Sequence, residues 1–158
     1  MADAVVWRIA QRPFALDRTG AGAREYGGRW NRPGTPAIYA GRTVGIAALE
    51  KFVHLAGVPA VDLVLVRIEL PEHCSVEEPD IANLPADWNA LPIRHASMDF
   101  GTTWIQEERS LVLYVPSTIV PEERNAVLNP NHPEFRTVRL LIERDFTFDL
   151  RMYVARDT

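Results

Sequence analysis

Apolar and polar residues alternate most clearly over residues 61–70, where Val64, Val66, Ile68 and Leu70 share one face of a strand that Pro71 ends. A shorter first strand is predicted at 5–10, and further strands at 111–115, 138–143 and 146–150. The period changes after Thr43. This residue is an N-cap candidate, Gly57 a stop and Pro59 a breaker, and together they frame a helix over 44–56. At 100° per residue, Ile46, Leu49, Phe52 and Val53 form its apolar arc, with Glu50 on the border beside Ile46 and Val53. A second helix is predicted around 101–108. Between strand and helix, residues 71–95 mix four prolines with Glu72, Glu77, Glu78 and Asp80, which predicts a surface excursion; core-like strands follow it, so it is not a linker between domains. Trp88 and Trp104 bracket its end and are expected to pack. Strands outnumber helices, which makes the fold class α+β.

Composition narrows the function classes. With 158 residues and 47% hydrophobic content, the chain is the size of one domain, 1–158, and can bury a proper core. A net charge of -4 without any Lys/Arg run argues against direct nucleic-acid binding. The lone cysteine, Cys74, excludes an intramolecular disulfide and suits a reducing cytosol; His73 and Ser75 beside it do not make a triad by adjacency. The N-terminal MADAVVWRIA carries an early acid and too short an apolar run for a signal peptide or membrane span, so a soluble cytoplasmic protein is expected. His54, His73, His95 and His132 are scattered, and no metal is expected.

The candidate chemistry is concentrated between residues 24 and 55. Gly27 and Gly28 precede Arg29, and Gly34 and Pro36 follow, which favours an ordered loop in close contact with a ligand. Arg18, Arg24, Arg29, Arg32 and Arg42 face only Glu25 over that span, whereas Lys51 is the only lysine in the chain. A planar guanidinium matches phosphate oxygens two at a time, so a diphosphate is a natural guest; solvated arginines favoured by coding bias are the plain alternative. Glu50 needs a partner if it borders a buried stripe, and Arg29, Arg42 and His54 are the local candidates. It is either half of a structural ion pair or a carboxylate held near an electrophilic sugar carbon. Ser117 follows Pro116 after the strand-like LVLYV and lacks an evident base, which assigns it to positioning. The string NAVLNPNHPEF at 125–135 imposes an extended, turn-rich path and reads as a stiff loop that buttresses Ser117.

The run GGRWNRPGTPAIYA, then Glu50 on the next helix, then VPSTIVPEERNAVLNPNHPEF at 115–135, closely resembles the RES-domain toxins of bacterial toxin–antitoxin modules, over nearly the whole chain. The resemblance implies a core like that of the diphtheria-toxin-type ADP-ribosyltransferases and destruction of cellular NAD or transfer of its ADP-ribose. Position by position, it implies Arg29, Tyr39, Glu50 and Ser117 as catalytic residues, and Arg29, Trp30, Asn31, Tyr39 and Arg42 around the substrate. It also implies NAD as the substrate, with no cofactor required. The chemistry is consistent with one carboxylate, because nicotinamide leaves as a neutral molecule and needs no protonating acid. Glu50 would stabilise the oxocarbenium-like ribose, Arg29 would bind phosphates, and Tyr39 would lie against nicotinamide or ribose. The implied partner is an Xre-like helix-turn-helix antitoxin; a homodimer is compatible with the sequence. Two other readings stay open, a protein-modifying mono-ADP-ribosyltransferase and a non-catalytic binding module.

Overall fold

A computed structural model describes residues 4–153, so the early acid Asp3 lies outside the described residues. Among the described residues, seven strands form one sheet: β1 Ala4–Gln11, β2 Ile38–Gly41, β3 Leu63–Leu70, β4 Val76–Glu77, β5 Val112–Pro116, β6 Arg124–Leu128 and β7 Arg139–Phe146. Their spatial order is β4-β5-β6-β2-β1-β3-β7. Every neighbouring pair is antiparallel except β4 with β5. Three α-helices among the described residues accompany the sheet, α1 Ala21–Tyr26, α2 Val44–His54 and α3 His95–Gln106. The architecture is α+β, as the periodicities predict, and the sheet is mixed.

Side-chain alternation divides the core. Val64, Val66, Ile68 and Leu70 do share a face, and they pack there with Val6, Ala10, Ile38, Val112, Tyr114 and Leu128. On the opposite face Ile9, Leu63 and Leu65 meet Phe52 of α2 and Phe148, while Leu113, Val115 and Val127 meet Trp30, Trp88 and Trp104. The second face therefore carries two apolar clusters, one associated with α2 and one with α3. The functional side chains described below come from that face.

Thr43 caps α2 as expected, its Oγ1 accepting from Ile46 N at 3.2 Å. The helix ends at His54, two residues before the expected limit, because Ala56 and Gly57 both take positive φ. Its buried arc also differs from the expected one. Ile46 and Ala47 are buried, whereas Leu49 and Val53 are 36% and 55% exposed. The cause is the close seat of α2 on β2: a Cβ on Gly41 would stand 2.7 Å from Ile46 Cγ2 and 2.8 Å from Ala47 N. Ile46 and Ala47 turn toward the sheet there, while Leu49 and Val53 turn away.

Four other expectations change. The 71–95 excursion is not confined to the surface, since it contains β4 and buries Leu84 and Trp88. α3 starts at His95, six residues earlier than predicted. The two strands predicted at 138–143 and 146–150 are one strand, β7, followed by a short 3-10 turn at Leu150–Met152. Part of the stretch read as a stiff loop is β6, fully paired with β2 and β5 before the chain turns at Asn129 and Pro130. α1 was not anticipated. Its start is held by Asp17, whose Oδ2 accepts from Gly20 N and Ala21 N at 3.0 and 3.3 Å.

Candidate active site

The arginine-bearing loop is tied down before it offers anything to a ligand. Gly27 takes φ +73°, and Gly28 and Asn31 exchange backbone hydrogen bonds across a tight turn. Tyr39, on β2, reaches into that turn: its hydroxyl donates to Asn31 Oδ1 at 2.6 Å and accepts from Trp30 N at 3.0 Å. A Cβ on Gly28 would lie 2.8 Å from the Tyr39 hydroxyl, so this approach requires glycine. Asn31 Nδ2 donates to the Ala23 and Thr35 carbonyls at 2.8 and 2.9 Å. Burial pushes the Tyr39 phenol well above its usual pKa, against the opposing pull of the Trp30 N–H and the Arg29 charge. It therefore stays a neutral donor.

Arg29 emerges from the turn half-buried. Its Nη1 donates to the Trp88 and Ala90 carbonyls at 2.7 and 3.0 Å, which fastens the end of the 71–95 excursion to the loop. Nε and Nη2 donate to no described residue and are available to an anion. Burial lowers the Arg29 pKa, while the charge of Glu50 acts to raise it. The Glu50 carboxylate thus acts on Arg29 through space and forms no ion pair with it.

Glu50 points from α2 toward the ends of β5 and β6. One carboxylate oxygen, Oε1, accepts from Ser117 Oγ at 2.8 Å and from Asn125 Nδ2 at 2.7 Å. Ser117 is fully buried, and its Oγ also accepts from Ile119 N and Val120 N at 3.0 and 3.3 Å. With its acceptor side occupied, the hydroxyl proton is directed at Glu50. Asn125 stands opposite Gly41 on β2 and Val115 on β5. These two donors replace the partners expected for Glu50. His54 Nδ1 lies 2.9 Å from the Glu50 backbone carbonyl, away from the carboxylate. Arg42 follows Gly41 and so projects to the other face of the sheet, where it stacks 4.1 Å above Tyr114 and pairs with Glu78 at 2.9 Å.

Sequence reasoning placed Trp30, Asn31 and Arg42 beside substrate. The structure instead puts Trp30 in the tryptophan cluster, edge-on to Phe100, and Asn31 wholly inside the turn; Arg42 is not brought to the site at all. Asn125 was missed. A polar residue two positions before the inward-facing Val127 in RNAVL, and so on the same face of a strand, was the available signal.

The arrangement can do two things. A carboxylate whose Oε1 is fixed by two donors presents Oε2 to a group that develops positive charge, and a guanidinium with free N–H groups can hold phosphate oxygens. Among the described residues no group of three or more His, Cys, Asp or Glu side chains could hold a metal ion. No described helix is long and apolar enough to cross a membrane.

Residues 5–150 match the RES domain family. A protein of Sphingobium sp. strain YBL2 named Prs ADP-ribosylating toxin is 42% identical over 153 residues, which cover 92% of this chain and 94% of that protein. Toxin Res of Photorhabdus laumondii is 39% identical over 155 residues, covering 96% and 99% of the two chains. The crystal structure of the M. tuberculosis MbcT–MbcA toxin–antitoxin complex contains a chain that matches with a TM-score of 0.71 at 19% identity, over 95% of this chain and 86% of that one. This last likeness is one of fold.

Proposed function

The chain belongs to the RES domain family, and on that premise we propose that it is the toxin of a toxin–antitoxin module and cleaves the nicotinamide–ribose bond of NAD, passing ADP-ribose to water or phosphate. The observation that carries this reading is the Glu50 carboxylate, held through Oε1 by Ser117 and Asn125 within electrostatic reach of Arg29. Nicotinamide departs neutral, so a single carboxylate that stabilises the oxocarbenium-like ribosyl centre supplies the main catalytic need. Arg29 holds the diphosphate through Nε and Nη2. Tyr39, Trp30 and Asn31 keep the arginine loop in shape, and Ser117 keeps Glu50 in orientation. No cofactor enters this scheme.

The Sphingobium relative's name, Prs ADP-ribosylating toxin, favours a second reading, in which ADP-ribose is transferred to a macromolecule from the same pocket. The solved neighbour, described as a toxin–antitoxin complex, supports an antitoxin partner for this chain, which we take to be an Xre-like helix-turn-helix protein acting in the cytoplasm.

Purified protein incubated with NAD, with and without phosphate, should release nicotinamide, followed by chromatography beside a Glu50→Gln control. That variant keeps the shape and removes the charge, and should lose on the order of 100-fold or more in rate. Label from adenine-labelled NAD found only in small products supports the first reading; label in protein or nucleic acid supports the second. NAD left intact by folded, antitoxin-free protein would refute both.

A further inference from the structure

Beyond the arginine, glutamate and serine, the geometry points to Asn125 as the residue that sets the orientation of Glu50 and reads the sugar beside it. A carboxylate only accepts hydrogen bonds, so the Asn125 amide must turn Nδ2 toward Glu50, as its 2.7 Å contact shows. That choice fixes the other end. Asn125 Oδ1 is buried and has no hydrogen-bond partner among the described residues, the one buried side-chain atom there in that condition. Leaving a buried carbonyl without a donor is costly, and such an atom in a native fold calls for a reason.

The reason supplied by its position is a ligand hydroxyl. Asn125 is bonded to the carboxylate that faces the reacting sugar, and the nearest donors on a nucleotide whose anomeric carbon approaches Glu50 are its ribose hydroxyls. We propose that Asn125 Nδ2 holds Glu50 in its working orientation, while Oδ1 accepts a hydrogen bond from a hydroxyl of the nicotinamide-side ribose. The inference rests on the NAD-cleaving reading of this site. The other titratable or charged groups near the pair are Arg29 from the loop, Tyr39 from β2 and His54 from α2; β5 leads directly to the hydroxyl of Ser117. All of these residues are kept in the variants below.

Two variants test it with NAD as substrate across about pH 5 to 9, each first checked for cooperative thermal unfolding. Asn125→Ala removes both contacts, and kcat/KM should fall about 10- to 100-fold. Asn125→Asp keeps the shape and the acceptor but can donate to Glu50 only while protonated. Two carboxyl groups this close share one proton, which raises the upper apparent pKa of the pair. Relative to wild type, its activity should therefore be lowest at alkaline pH and recover as the pH falls. A merely structural amide would lower stability without creating that profile. Asn125→Ala within about twofold of wild type, or Asn125→Asp with the wild-type profile, would overturn the proposal while NAD cleavage by wild type stands. Wild-type protein that leaves NAD intact would instead remove the parent reading and this inference together.

Discussion

Replacing Ser117 with alanine should separate the structural role of this residue from its catalytic one. The hydroxyl makes three hydrogen bonds from a fully buried position: it donates to Glu50 Oε1 at 2.8 Å and accepts from Ile119 N at 3.0 Å and Val120 N at 3.3 Å. Alanine leaves two backbone N–H groups short of an acceptor and leaves Glu50 with Asn125 alone. A hydrogen bond to a charged group contributes about 1.5–3 kcal/mol and a neutral one about 0.5–1.5 kcal/mol. The 3.3 Å contact is long, so the total destabilisation should come to about 2–4 kcal/mol. If the Glu50 bond also matters in the transition state, its share alone corresponds to a fall of about 10- to 100-fold in kcat/KM for NAD. Urea unfolding measures the first quantity and nicotinamide release the second. A stability cycle with Glu50→Ala should give a coupling of about 1.5–3 kcal/mol, since the pair shares one short bond. Coupling below about 0.5 kcal/mol, or unchanged kcat/KM in a destabilised variant, would refute the idea that Ser117 acts through the carboxylate.

Arg29→Ala should raise KM for NAD by about tenfold or more, and should speed amide hydrogen exchange at Trp88 and Ala90, whose carbonyls it holds; wild-type exchange there would show that the tie carries no weight. Gly101→Ala places a Cβ 1.8 Å from the Trp30 carbonyl oxygen, so a loss of at least about 3 kcal/mol or of soluble expression is expected, and a wild-type unfolding midpoint would contradict it. Burial acts to raise the Asp17 pKa, but hydrogen bonds from Thr19, Ala21 and Gly20 outweigh it and hold the folded value below the ordinary 3.8. The stability this brings is present above the unfolded value and is lost as pH falls through the folded one. The gap in unfolding free energy between wild type and Asp17→Asn should therefore be full near about pH 7 and narrow below about pH 4; a constant gap would argue against the linkage.

The sequence was informative where a local rule decides the outcome. Thr43 is a cap whatever surrounds it, and the 61–70 alternation is strong enough to define both a strand and its buried face. Glu50 and Ser117, 67 positions apart, come within hydrogen-bond distance. What remained hidden depends on long-range partners. β6 is five residues long, begins with Arg and Asn, and ends next to an Asn-Pro pair, so local chemistry reads as turn until β2 and β5 are placed on either side. Asn125 disappeared with it. Arg42 belongs to the same arginine-rich run as Arg29, and only the pleat after Gly41 reveals that it faces the opposite way. Likewise the helical arc of α2 was drawn from hydrophobicity, whereas the contact with Gly41 favours Ala47 over Leu49 and Val53. Arg29, finally, is as much a clasp for the Trp88 segment as a binder of anions, a role its neighbours in sequence could not disclose.

The two margins of the sheet bear on how this chain meets others. At one end β4 is only two residues long, too short to template a further strand. At the other, β7 runs for eight residues but exposes Arg139, Glu143, Arg144 and Asp145, and a register shift opposite Leu65 and Val66 breaks its line. Charge and irregularity of this kind discourage edge-to-edge growth. Among the described residues, then, neither margin invites addition of a strand from a second copy. Contact with a second copy is therefore favoured through helices and loops rather than through either described margin of the sheet.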